Sequence, residues 1–89
     1  MTEYEIIQIL FQLLKHIAPD TEPSELKPDE NIRETLNIDS FDTLQFIVAI
    51  NDTLGIEIPE SDYGKITTLN SLTKYLVEKS NAKLKIKES

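Results

Sequence analysis

Leu36-Asn37-Ile38-Asp39-Ser40-Phe41-Asp42-Thr43-Leu44 is the stretch on which the reading of this chain turns. Asp39 and Ser40 are both residue types that open helices, because a side-chain oxygen can accept from backbone N–H groups that have no partner inside the helix. The helix they open should run from about Ser40 to Leu54, where Gly55 supplies a common stop. Along it Leu44, Phe46, Ile47, Ile50 and Leu54 form the expected core face. A second stripe lies beside that face: Phe41, Gln45, Val48 and Asp52 follow one another at spacings of four, three and four residues. For Phe41 and Val48 the ordinary alternative is a place in the core.

Upstream of the junction the chain changes character. From Ala18 to Asp39 three prolines, Pro19, Pro23 and Pro28, alternate with Asp20, Glu22, Glu25, Asp29 and Glu30, and Leu26, Ile32, Leu36 and Ile38 are spaced as occasional anchors. This reads as a long polar loop tacked to a core, of a length that is either functional or needed to span an antiparallel helix pair. Before it, Ile6, Ile9, Leu10, Leu13, Leu14 and Ile17 recur at spacings of three and four and define a first helix. Thr2 and Glu5 have capping-box spacing at its start, and Pro19 marks its end.

Downstream, Pro59 followed by Glu60 and Asp62 signals a brief third helix that Gly64 should close. Leu69, Leu72, Tyr75 and Leu76 predict a fourth helix over about Asn70 to Lys79, with Thr68 or Asn70 as its cap. The expected fold is all-α: a four-helix bundle with a long loop between helices one and two and a short helix three. Residues 1–79 form the domain and 80–89 a basic tail. Lys79 to Ser89 carries four lysines and one glutamate, so the residues before it hold a formal charge of −10 within a total of −7. A frayed, solvated segment is the expectation for that tail.

Composition narrows the function. Eighty-nine residues hold one domain with one modest core. Sixteen acidic side chains against nine basic ones argue against nucleic acid and anionic lipid as partners and favour basic protein surfaces. The absence of cysteine removes disulfides, thiolate metal sites and a Cys nucleophile. No run approaches the roughly 18 apolar residues of a membrane span, so no membrane insertion and a cytoplasmic location are expected. A Ser-His-Asp hydrolase would have to use Ser40 with His16, the one histidine, and no glycine-flanked nucleophile turn surrounds Ser40. The acidic stretch Asp20 to Glu30 lacks the alternating ligands and glycine of a calcium loop, and no metal site is expected.

Ser40 itself should present its hydroxyl to solvent at a helix mouth. There, unpaired N–H groups and the helix dipole favour a phosphate group by about 0.3–1 kcal/mol. Taken alone, Asp39 and Ser40 remain ordinary capping residues. The wider pattern adds to this: Ile38-Asp39-Ser40-Phe41-Asp42-Thr43, Leu54-Gly55-Ile56-Glu57-Ile58-Pro59 and Lys65-Ile66-Thr67-Thr68-Leu69, in this order behind the first helix and long loop, resemble the acyl carrier protein family from about Tyr4 to Lys79. Phe41 stands where that family usually has leucine.

The resemblance implies a carrier, not an enzyme, with no catalytic residues of its own. It implies 4'-phosphopantetheine, derived from coenzyme A, joined covalently to Ser40 by a separate phosphopantetheinyl transferase, with Asp39 completing the motif and capping the helix. Acyl intermediates would ride on the arm as thioesters to partner enzymes of fatty-acid, polyketide or related biosynthesis. Aminoacyl or peptidyl cargo, and an unmodified interaction module on the same fold, are the alternatives. Phe41, Gln45, Val48 and Asp52 would form the docking surface for acyl-transferring or ligase enzymes with basic surfaces. Relatives commonly have glutamates where this chain has Gln45 and Asn51, which suggests a dedicated partner set and weaker long-range attraction. A monomer is expected.

Overall fold

Thr2 opens the first helix with a reciprocal cap: its Oγ1 accepts from the Glu5 amide at 3.1 Å, and its own amide donates to Glu5 Oε1 at 2.9 Å. The computed structural model describes the backbone of residues 2–88 and the side chains of residues 2–81. It contains α1 (Glu3–Ile17), α2 (Ile32–Leu36), α3 (Ser40–Leu54) and α4 (Leu69–Glu88), with 3-10 turns at Pro23–Glu25 and Glu60–Lys65. Among the described residues there is no strand, only an isolated bridge between Asn31 and Thr68. The all-α class is as the sequence predicts.

α1 packs against both α3 and α4. Its buried side chains Ile6, Leu10 and Leu14 repeat every fourth residue, and they meet Ile50 of α3 and Leu72 and Leu76 of α4, all essentially inaccessible. Burying such a side chain stabilises by about 1.5–3 kcal/mol. The four loop anchors Leu26, Ile32, Leu36 and Ile38 are all buried as expected.

The long connection is more ordered than its composition suggests. It contains a 3-10 turn and the five-residue α2, so the helix beginning at Ser40 is the third α-helix of the chain. A helix this short has no stability of its own. A local cap and two tertiary ties hold it: Asn31 Oδ1 accepts from the Glu34 amide at 2.9 Å, the Ile32 amide donates to the Thr67 carbonyl at 2.9 Å, and the Asn70 amide donates to the Pro28 carbonyl at 2.8 Å.

α2 ends at Asn37, which has φ 54 and is the non-glycine residue with a left-handed backbone among those described. The Ile38 amide donates back to the Arg33 carbonyl at 3.1 Å and the Asn37 amide to the Glu34 carbonyl at 3.3 Å. This paired return is the Schellman arrangement, and the buried pair Ile32 and Ile38 flanks it. Gly55, with φ 67, ends α3 by the same conformational freedom.

Two boundaries differ from expectation. The 3-10 turn passes through Gly64 to Lys65, because Gly64 does not take the left-handed conformation that would end it. α4 begins one residue early, behind Thr68, whose Oγ1 accepts from the Ser71 amide while its own amide donates to Ser71 Oγ, both at 3.1 Å. α4 also continues to Glu88 and does not stop near Lys79. The sequence beyond Lys79 has no proline or glycine to stop it. The alternating Lys and aliphatic side chains beyond Asn81, and with them the expectation of a frayed tail, lie outside the described residues.

The second 3-10 turn docks on α4 through Tyr75, whose hydroxyl donates to Asp62 Oδ2 at 2.6 Å. Lys65 pairs with Asp62 at 3.3 Å, and Lys79 Nζ lies 5.4 Å from the Tyr75 ring centre. The Tyr75 hydroxyl holds the Asp62 carboxyl below the usual 3.8. Burial, followed by the Asp62 hydrogen bond, pushes the Tyr75 hydroxyl up to about 12.

Because the left-handed conformation costs ordinary L-residues about 1–2 kcal/mol, Asn37→Ala lowers unfolding stability in urea by about 1 kcal/mol, whereas Asn37→Gly leaves it unchanged or raises it; equal midpoints for the two variants would contradict the cap. The stability that Asp62 contributes is present above its unfolded pKa and is lost as pH falls through the lowered folded value. The parent should therefore lose more stability between about pH 5 and about pH 2 than Tyr75→Phe does. On the alkaline side the sign reverses: the Tyr75 contribution is complete below 10 and lost as pH rises through about 12. An ultraviolet titration of the folded protein should show one tyrosine ionising near about 12, and Asp62→Asn should bring that value down.

Candidate functional site

Asp39 and Ser40 divide the work at the mouth of α3. Asp39 is the capping residue: its backbone is extended, its Oδ1 accepts from the Asp42 amide at 2.8 Å, and its carbonyl accepts from the Thr43 amide at 3.0 Å and from Thr43 Oγ1 at 2.8 Å. Ser40 is the first residue of the helix and takes no part in the cap. Its side chain is exposed, so its hydroxyl is left for something other than holding the helix together.

The partner of that hydroxyl is Arg33. The Arg33 guanidinium donates to Ser40 Oγ through Nη2 at 2.7 Å, reaching from α2 across the turn at Asn37. Sequence reading passed over this residue. The available signal was that Arg33 is the single arginine among nine basic side chains. A contact across seven residues and a reversal of direction follows no helical spacing and cannot be read from periodicity.

A cleft of about 610 Å³ opens beside the site, lined by Arg33, Thr43 and Thr67 and by the apolar side chains of Ile38, Ile47 and Ile66, among others. α2, α3, the second 3-10 turn and the start of α4 form its walls.

The outward face of α3 resolves the choice left open for Phe41 and Val48. Phe41 is 66% exposed and Val48 58%, so neither belongs to the core. Leu44, expected on the core face, is 50% exposed and joins them instead. The inner face is built from Phe46, Ile47 and Ile50, with Leu54 half-buried at its end, and Leu44 falls on the far side of the turn they define. Gln45 and Asp52 are also exposed, so the expected stripe stands as one solvent-facing surface with Leu44 added to it.

His16, at the end of α1, is exposed in a shallow cleft beside Lys15 and Glu22. No hydrogen bond joins it to Ser40 among the described residues, and the structure does not assemble the Ser-His pair that hydrolysis would need. Among the described residues no three His, Asp or Glu side chains converge on a common point as metal ligands. No helix in the described residues is long and apolar enough to cross a membrane.

A phosphodiester fits at Ser40 Oγ: the hydroxyl is exposed, is not used by the cap, sits at the N-terminus of a fifteen-residue helix, and has a guanidinium in contact.

Residues 6–76 match the family described as "Phosphopantetheine attachment site". The chain is 33% identical over 76 residues to an "Acyl carrier protein" of Rubrobacter xylanophilus, covering 82% of this chain and 94% of that protein. It is 29% identical over 76 residues to an "Acyl carrier protein" of Streptomyces coelicolor, covering 85% of this chain and 83% of that one. The fold, the exposed serine at the mouth of α3 and these matches lead to one conclusion: the chain belongs to the phosphopantetheine-binding family of the acyl carrier proteins, whose members are carriers and not catalysts and bear a covalently attached 4'-phosphopantetheine.

Proposed function

We propose that this protein carries acyl groups as thioesters on a 4'-phosphopantetheine arm joined to Ser40 Oγ, and delivers them to separate enzymes of fatty-acid, polyketide or related biosynthesis. The observation that carries the reading is the division of labour at the mouth of α3, where Asp39 caps the helix and the Ser40 hydroxyl stays exposed and outside the cap. When attached, the arm supplies a thiol to a chain that has no cysteine.

Each part of the site has a distinct task in this reading. Asp39 fixes the first turn of α3, so that Ser40 is offered to a phosphopantetheinyl transferase in a constant position. The free amides of that turn favour the negative charge of the phosphodiester. The cleft beside Arg33 supports acyl over aminoacyl cargo. Ile38, Ile47 and Ile66 offer an aliphatic chain an apolar wall, and sheltering it from water is worth about 0.8 kcal/mol per buried methylene.

Partner recognition falls to the outer face of α3. Phe41, Leu44 and Val48 give it an apolar centre, Gln45 and Asn51 are neutral, and Asp42 and Asp52 keep some negative charge. Such a surface suits enzymes that pair a modest basic rim with an apolar contact patch, and supports a dedicated partner set over a general fatty-acid synthase. The carrier acts as a monomer in the cytoplasm.

Incubation with coenzyme A, magnesium and a permissive phosphopantetheinyl transferase should add one phosphopantetheine to the parent by intact mass and nothing to Ser40→Ala. No addition to the parent, under conditions that load a control carrier, would leave an unmodified interaction module as the better reading. Phe41→Ala and Val48→Glu should each lower a cognate enzyme's kcat/KM for the loaded carrier about tenfold, the effect of losing about 1.4 kcal/mol at an interface, with the thermal midpoint unchanged. Full turnover of the parent by general fatty-acid enzymes would contradict the dedicated partner set.

A further inference from the structure

We propose that Arg33 is a phosphate clamp: a positioning residue whose guanidinium holds the phosphodiester of the arm at the mouth of the cleft between α2 and α3. The proposal rests on the assignment of the arm to Ser40 and adds to it the residue that fixes where the arm starts.

Arg33 is the single arginine of a chain with sixteen carboxylates, yet among the described residues it forms no ion pair. Lys15 is paired with Glu22 and Lys65 with Asp62, whereas the Arg33 side chain makes its hydrogen bond to a neutral acceptor, Ser40 Oγ, at 2.7 Å. A guanidinium has five N–H donors in a planar fork, and this contact uses one of its nitrogens. Esterifying Oγ places two non-bridging oxygens, which share one negative charge, one phosphorus atom away from the point that Nη2 already touches. The match is then fork to phosphate, which is shorter and stronger than a bond to a hydroxyl.

Charge around the site points the same way. Asp39 and Asp42 stand on either side of Ser40 in sequence, and Glu34 follows Arg33 on α2. A phosphodiester placed among these carboxylates meets like charge, and Arg33 is the cation in contact with its attachment atom. Lysine would offset the charge but lacks the fork.

Position gives the clamp its consequence. Arg33 touches Ser40 and also lines the cleft, so a phosphate held by its guanidinium sits at the cleft's edge, and the arm begins its path there instead of sweeping solvent evenly. The backbone that carries Arg33 is itself anchored, since its carbonyl accepts the Ile38 amide in the turn that leads to Ser40.

The test uses the fact that the chain has one arginine, so one side-chain Nε–Hε signal reports it in a ¹⁵N-labelled sample without assignment. The parent, Arg33→Gln and Arg33→Lys are compared before and after loading with phosphopantetheine, and intact mass and Ser40→Ala establish the loading. Loading should shift the parent's Nε–Hε signal and slow its exchange with water several-fold. The ³¹P resonance of the loaded parent should differ from that of loaded Arg33→Gln and move toward it at high salt, with Arg33→Lys between the two. An arginine signal unchanged by loading, together with one ³¹P position for parent and Arg33→Gln, would overturn the clamp and leave the Ser40 assignment standing. A parent that takes no phosphopantetheine on Ser40 would overturn that assignment, and the clamp with it.

Discussion

Ile38 is 7% exposed, and Ser40, two residues further on, faces solvent. To achieve this the chain has to leave α2 with Leu36 buried, turn sharply, bury Ile38, and then start α3 with its first hydroxyl outward. The turn requires Asn37 in the left-handed region, a conformation that costs an ordinary L-residue about 1–2 kcal/mol and asparagine less. Burial of Ile38 returns about 1.5–3 kcal/mol and so outweighs the turn. Everything at the site inherits its placement from this reversal: Asp39 arrives in the extended conformation a cap needs, Ser40 opens the helix, and Arg33 is brought back within hydrogen-bond reach of it.

The scaffold behind the turn is conventional in its forces. α1 supplies one buried row, Ile6, Leu10 and Leu14, against which α3 and α4 pack, and the connection is pulled in by Leu26, Ile32 and Leu36. Polar work is confined to the seams. The bridge between Asn31 and Thr68 and the bond between Tyr75 and Asp62 tie the connection and the second 3-10 turn to α4, and thereby set the two walls of the cleft. α3 both presents Ser40 at its mouth and, with α2, the second 3-10 turn and the start of α4, walls the cleft beside it.

Much of this was legible in the sequence because it depends on local chemistry. The Thr2–Glu5 box, Asp39 as cap, Gly55 as stop and the i, i+4 rows of α1 are all decided within a few residues of one another. What escaped depends on distant partners. α2 is too short to declare itself and is held by the bond from the Ile32 amide to the Thr67 carbonyl and by the bond from the Asn70 amide to the Pro28 carbonyl just ahead of it. Leu44 is apolar and three residues before Ile47, so only the placement of α1 and α4 shows that it faces outward. The end of α4 was misjudged because a basic, alternating sequence says little about whether a helix already started will continue. Arg33 was missed for the opposite reason from Asp39: its importance lies wholly in what the turn at Asn37 brings beside it. Ser40, by contrast, is proposed from the motif, and the structure shows its side chain exposed at the first position of α3 and outside the cap.

The central claim is that Ser40 carries the arm. It is tested most directly by tandem mass spectrometry of the protein isolated from its own cells, with the phosphopantetheine mass located on a peptide after proteolysis. The account predicts the modification on the peptide containing Ser40 and on no other. Phosphopantetheine on Ser24, Ser61, Ser71 or Ser80, or a Ser40 peptide that is unmodified throughout, would contradict it.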